Sequence, residues 1–166
     1  MAKMKQIRVA EKARRPVDEP TLENRRARHE YEILDSLEAG LVLTGTEVKA
    51  LRAGGASMTD AYARIRNGEA WLHNLHIPPY RQGSFSNEEP RRSRKLLLHS
   101  DQILSLASRS QEKGLTIVPL KLYFTRGMAK VQLGLARGKQ LWDKRAAIQK
   151  READRSLRAA LSQRSR

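Results

Sequence analysis

A mainly β fold follows from three observations. Short stretches of alternating apolar and polar residues outnumber helical patterns, paired stretches meet at tight-turn dipeptides such as Asn67-Gly68, and one clear helical period stands between them in mid-chain. Hairpins arranged around a central helix favour a small OB-like β-barrel with short helical insertions. A flat sheet with helices packed on one side has the same periodicity and stays open as the alternative. The 166 residues suffice for one such domain with extensions. Three regions are expected: a disordered basic arm over 1–22, an OB-like barrel over 23–136, and a basic C-terminal tail over 137–166.

The arm alternates charged and small residues around Pro16 and Pro20. Order is expected from near Asn24, where a strand runs through to Gly40 with Tyr31, Ile33, Asp35 and Leu37 on one face. Thr44 and Glu47 have capping-box spacing and open a helix from Gly45 to Ala53, with Val48 and Leu51 on one face and Gly54-Gly55 as its exit. In the hairpin that follows, Ala61, Ala63 and Ile65 point inward, which leaves Tyr62, Arg64 and Arg66 outward. Residues 78–90 are rich in turn formers and read as a loop. Arg91, Arg92, Arg94 and Lys95 come next, either touching phosphate or keeping the loop soluble, and lead to a helix over 100–113 that stops at Gly114. The last two strands place Val118, Leu120, Leu122 and Phe124 inward on one, and Val131, Leu133 and Leu135 inward on the other, joined at Arg126-Gly127. Lys121, Tyr123 and Lys130 then share the outer face. Pro119 argues for an edge strand or a late start.

Charge narrows the partner. Thirty-three basic residues stand against 18 acidic, a formal net charge of +15. The arm holds six basic and three acidic residues and the tail ten and three, so both ends are more strongly basic for their length than the body. Such a distribution points to nucleic acid or a ribonucleoprotein, with a solubility tail as the bland alternative. Cysteine is absent, which excludes disulfides, thiolate metal sites and cysteine nucleophiles. No apolar run reaches membrane-spanning length and the N-terminus lacks the apolar core of a secretory leader, so the expectation is a cytoplasmic monomer with no membrane.

No catalytic constellation emerges. His73 and His76 are three apart in a strand, which sets them on opposite faces and is wrong for a shared metal, and there is no phosphate-cradling glycine loop or nucleophile elbow. No enzyme, metal or cofactor is expected. What the sequence offers instead is aromatic residues among cations. Tyr62 with Arg64, and Tyr123 with Lys121 and Lys130, can stack a base and hold phosphates, although a solvated face with an amphipathic tyrosine fits equally well.

The stretch from Gly138 to Arg145, GKQLWDKR, marks the change from β-pattern to basic tail. Its apolar stripe is narrow and broken by arginines, too little to offset about 1–2 kcal/mol per residue of ordering entropy, so the tail is expected to be disordered when free and helical on RNA. Trp142, beside Asp143, Lys144 and Arg145, reads as a stacking platform in preference to a lid folded onto the body.

NRRARHEY, LEAGLVLTGTEVKALRAG, RKLLL and GKQLWDKR, in this order from Asn24 to Arg151, closely resemble the small protein B family, the bacterial SsrA-binding proteins that work with transfer-messenger RNA. The resemblance implies a non-catalytic barrel that binds the tRNA-like domain of that RNA and helps it enter stalled ribosomes. By similarity Tyr31, Glu38, Tyr62, Leu97 and Lys130 match positions the family uses in or near its RNA-binding surface. Glu38 then either orders a basic neighbour or bonds a base or ribose. The tail is implied to enter the decoding centre and the empty mRNA channel through Gly138, Lys139, Trp142, Asp143, Lys144, Arg145, Ile148, Lys150 and Arg151. Many members carry histidine where this chain has Trp142, which keeps a stacking role and removes any role for an imidazolium. A general rRNA-binding or ribosome-assembly protein is the alternative.

Overall fold

The computed structural model describes residues 20–83, 87–140, 148–156 and 158. The strands are β1 (Leu22–Glu23), β2 (Tyr31–Leu41), β3 (Tyr62–Arg66), β4 (Glu69–His73), β5 (Arg94–Leu97), β6 (Leu115–Thr125) and β7 (Met128–Gly138). Three helices interrupt them: α1 (Arg25–Glu30), α2 (Gly45–Ala53) and α3 (Ser100–Ser110). Every strand pairing is antiparallel. They follow the order β6-β3-β4-β5-β2-β7, and β7 pairs again with β6, so the six strands form a ring with β1 added beside β6. This is a mainly β antiparallel architecture with short helices, and its ring of pairings differs from a flat sheet with free edges. Among the described residues no helix is long and apolar enough to cross a membrane.

The turns form where turn chemistry says they should. Asn67 and Gly68 have φ of 52° and 71°, Arg126 and Gly127 of 52° and 79°, the left-handed pair a two-residue hairpin requires. Helix α2 has the bounds its capping spacing predicts, and the Thr44 amide donates to Glu47 Oε2 at 2.9 Å. Helix α3 is shorter than expected, ending at Ser110, and starts with the His99 amide bonded to Gln102 Oε1 at 3.0 Å.

Inside the ring lies the main core, with Leu72, Leu75, Leu96, Leu122, Val131, Leu133 and Leu135 all nearly inaccessible. A second, smaller cluster sits on the opposite side of the long strands: Ala27, Val118, Leu120 and Ala136, with Tyr31 and Ile33 against them. Strict alternation does not foresee this second cluster, and the reason is two bulges. Ile33 pairs with Ala136 but Asp35 with Leu135, leaving Leu34 unopposed; Pro119 pairs with Leu133 but Lys121 with Gln132, leaving Leu120 unopposed. One extra residue reverses the facing of everything beyond it. Val118 and Leu120 therefore do not share a face with Leu122 and Phe124, nor Tyr31 and Ile33 with Leu37. Gly134 accommodates the bulge, because a Cβ there would meet Leu120 Cδ1 at 2.9 Å.

Pro119 is thus neither at an edge nor at a strand start; it sits inside β6 at the bulge, where a missing N–H is tolerated. Its carbonyl accepts from Asn24 Nδ2 at 3.0 Å, which also donates to the Met58 carbonyl, while Asn24 Oδ1 caps α1 by accepting the Ala27 amide. Residues 25–30 are helical as a result, where a strand was expected to begin, and order starts earlier, at the two residues of β1.

The run from Arg91 to Lys95 has a structural use. The Arg94 guanidinium is fully buried and bonds Glu47 Oε1 (2.8 Å) and the carbonyls of Leu75 (2.6 Å), Arg92 (3.0 Å) and Pro90 (3.1 Å). Arg92 reaches the same carboxylate through Nε and Nη2 at 3.0 and 2.5 Å. Lys95 pairs with Glu69. Three of the four cations are thereby committed to carboxylates.

Burial opposes the charge of Glu47, but the bonds from Arg92 and the Thr44 amide and the charge of Arg94 outweigh it and hold the carboxyl below its ordinary value. The resulting stability is present in full above the unfolded carboxylate value and is lost as pH falls through the lower folded value. Denaturant titrations across that window should show Glu47→Ala destabilised by about 3–5 kcal/mol near neutrality, the cost of orphaning a buried charge. The variant's deficit should shrink as the wild type is acidified.

Candidate nucleic-acid interface

The ring turns one set of residues inward and presents the other to solvent. On the outer side of β2, β6 and β7, cross-strand register brings Glu38 opposite Gln132, Gly40 opposite Lys130 and Tyr123 opposite Lys130. Strand β5 adds Leu97 opposite Gly40. Five residues expected at a binding surface, Glu38, Leu97, Lys121, Tyr123 and Lys130, are therefore gathered into one patch from four strands.

At its centre is Glu38, which accepts from both Lys130 Nζ and the Tyr123 hydroxyl. The carboxylate answers the question its charge raised: it faces the solvent side of the sheet by ordering a lysine and a tyrosine. The bond from Lys130, then that from Tyr123, holds the Glu38 carboxyl below its usual range. The same bond to Glu38 pushes the Tyr123 phenol up to about 12. Lys121 Nζ lies 5.8 Å from the centre of the Tyr123 ring, within cation–π range. Beside this group a depression of about 620 Å³ is lined by Leu37, Glu38, Gly40, Leu97, Leu98, His99, Gln102 and Lys130. Gly40 lets the strands meet here, since a Cβ would stand 3.2 Å from Leu97 Cβ. Leu97 is 56% exposed, a large apolar side chain facing water amid charge.

Tyr31 and Tyr62 form a second group. Both line a depression of about 450 Å³ with Arg26, Asp60 and Thr116, next to the small cluster created by the bulges. Tyr62 is stacked on His73, directly opposite on β4, with ring centres 5.2 Å apart and planes at 26°. Arg64 lies 5.8 Å from the Tyr62 ring centre. Ser93 Oγ is 2.8 Å from His73 Nδ1 and steadies the stack from behind. Burial, then the positive charge of Arg64, pushes the imidazole below its ordinary value, which favours the neutral ring in the stack. The role of His73 had no sequence signal beyond its place opposite Tyr62 in the hairpin.

The tail residues divide. Strand pairing runs on through Gly138, opposite Tyr31, and the Lys139 amide still donates to the Glu30 carbonyl at 2.9 Å, with Lys139 Nζ 3.2 Å from the Arg28 carbonyl. Gly138 is a strand end here, so the chain leaves the sheet later than the pattern suggests. Trp142, Asp143, Lys144 and Arg145 lie outside the described residues, as does most of the 1–22 arm. Ile148, Lys150 and Arg151 are in a helical segment over 148–156 whose residues are all exposed. Among the described residues no three histidine or acidic side chains are grouped as metal ligands would be.

Comparison with known proteins places this arrangement. A family model described as SmpB protein matches residues 21–163. The chain is 58% identical to an SsrA-binding protein of Thermobifida fusca (strain YX) over 142 residues, 86% of this chain and 89% of the relative. It is 55% identical to an SsrA-binding protein of Desulforudis audaxviator (strain MP104C) over 148 residues, 89% and 96% of the two. A solved chain described under "tmRNA-SmpB: a journey to the center of the bacterial ribosome" superposes with a TM-score of 0.64 at 58% identity, covering 74% of this chain and 86% of that one.

Alkaline titration followed by tyrosinate absorbance tests the central group. Glu38→Gln should make one of the four tyrosines ionise earlier, nearer the ordinary value of about 10. Superimposable wild-type and variant curves would mean that Glu38 does not hold Tyr123.

Proposed function

The chain belongs to the SmpB family, and from that premise we propose that it binds the transfer-messenger RNA called SsrA and serves trans-translation at the ribosome as a non-enzymatic adaptor. The observation that carries this is the family match across 21–163 together with relatives that are SsrA-binding proteins at 55–58% identity over most of both chains. The ring serves as an OB-like barrel whose outer face meets the tRNA-like domain. Lys130 and Lys121 meet phosphate, Tyr123, Tyr62 and Tyr31 offer ring faces or hydroxyls to bases and ribose, and Leu97 packs on an exposed base or sugar. Glu38 keeps Lys130 and Tyr123 in place before RNA arrives, which lowers the ordering cost of binding.

The tail, from beyond Lys139, probes the decoding centre and the empty mRNA channel. Trp142 stacks there, while Lys144, Arg145, Lys150 and Arg151 track phosphate along a helix that forms on RNA. The protein works in the cytoplasm as a monomer. Support for this division comes from charge: the segment 137–166 holds ten basic residues against three acidic, and its described helical part buries nothing.

Two variants separate body from tail. A chain ending at Gln140 keeps the whole of β7 and the Lys139 bonds; it should bind the tRNA-like domain with affinity within about threefold of the full chain yet fail to support tagging of stalled products. Lys130→Ala should weaken RNA capture by about tenfold or more, given ~1.5–3 kcal/mol for a hydrogen bond to a charged group, and lose tagging only in proportion. Equal loss of binding and tagging in the shortened chain would overturn the division of labour.

A further inference from the structure

The group around Glu38 has a counterpart on the other side of the ring. On the outer face of β3, β4 and β5, Arg64 stands opposite Trp71 and Trp71 opposite Lys95, a row across three strands in register. The alternate residues Ala63, Ala70, Leu72, Arg94 and Leu96 are buried, so this row faces outward. Glu69, two residues before Trp71 on the same face, pairs with Lys95. The bond from Lys95 holds its carboxyl below the ordinary range. A carboxylate holding a lysine beside an aromatic ring thus occurs twice, as Glu38 with Lys130 beside Tyr123, and as Glu69 with Lys95 beside Trp71.

We propose that Trp71 is a further RNA contact, a platform on which an unpaired nucleobase stacks while Arg64 and Lys95 meet the flanking phosphates. The inference rests on the reading of this chain as an RNA adaptor. Three observations select RNA as the occupant. The face carries Arg64, Arg66 and Lys95 against the single carboxylate of Glu69, a net positive strip. Trp71 stands in register between two cations, Arg64 on one neighbouring strand and Lys95 on the other, the arrangement of a ring platform flanked by phosphate-binding groups. The strip is also continuous with the other two groups: Tyr62 is two residues from Arg64 along β3, and Leu97 is two from Lys95 along β5. RNA that touches both Tyr62 and Leu97 by this side of the ring crosses Trp71.

Fluorine NMR of the full chain carrying fluorotryptophan tests this directly, with the Trp71 signal identified by its loss in Trp71→Phe and Trp142 as the other resonance. On addition of the tRNA-like domain the Trp71 resonance should shift. Trp71→Phe, which keeps a ring face, should retain affinity within about threefold, whereas Trp71→Leu should lose about 5- to 150-fold, the range for removing one base stack. A Trp71 resonance unmoved at saturating RNA, in a protein that Tyr62→Ala still weakens, would overturn the inference and leave the interface reading standing. RNA affinity insensitive to both Tyr62→Ala and Trp71→Leu would overturn both. A shift that follows protein concentration without RNA would assign the face to a second copy and overturn it as well.

Discussion

A buried guanidinium fixes the geometry on which the outer surface depends. Arg94 begins β5 with its side chain pointing into the protein, where it is bonded to Glu47 of α2 and to carbonyls from residues 75, 90 and 92. An unpaired charge there would be costly to bury, so these segments can pack only together. Glu47 serves twice, closing the start of α2 through the Thr44 amide and neutralising Arg94 and Arg92. With Arg94 directed inward, alternation along β5 turns Lys95 and Leu97 outward, one toward Trp71 and the other toward Gly40. The ion cluster thereby sets which side chains of β5 face the solvent.

The two bulges do comparable work for the long strands. Strands β2 and β6 each change the side they bury partway along, so one length closes the main core and the other covers Ala27 and Ala136. That second cluster supports Tyr31 beside Tyr62, while the stretch of β2 past its bulge carries Glu38 beside Lys130 and Tyr123. Without the extra residues Leu34 and Leu120, one of the two groups would face the interior.

Much of this was legible in the sequence, and for local reasons. Turn dipeptides, a capping box and period-two alternation act over a few residues, so the β3–β4 and β6–β7 hairpins, α2, and the outward facing of Tyr62, Arg64, Lys121, Tyr123 and Lys130 all follow from neighbours in the chain. What escaped was set by distant partners. Arg94 looks like any arginine in a basic run until Glu47, 47 residues away, is placed against it. Asn24 caps α1 while bonding the Met58 and Pro119 carbonyls, and only that tertiary setting makes residues 25–30 a helix. Pro119 advertises an irregularity but does not say whether it is an edge or a bulge. Glu38 illustrates the remaining limit, since alternation puts it outside but the cross-strand register, unknown from the sequence, gives it Lys130 and Tyr123.

The surface that results is basic yet ordered by its own carboxylates. Lysines paired to Glu38 and Glu69 bring less net attraction to a polyanion than free lysines would, and in exchange their ammonium groups and the adjacent rings have fixed positions. On the proposed reading such a surface would recognise shape more than charge. The most direct test is competition: affinity for the tRNA-like domain measured against excess ordinary tRNA over a series of salt concentrations. A dedicated adaptor keeps its RNA in the presence of the competitor and weakens only moderately with salt. A protein whose charge alone binds RNA would be displaced mole for mole and would lose affinity by orders of magnitude as salt rises, which would contradict the account.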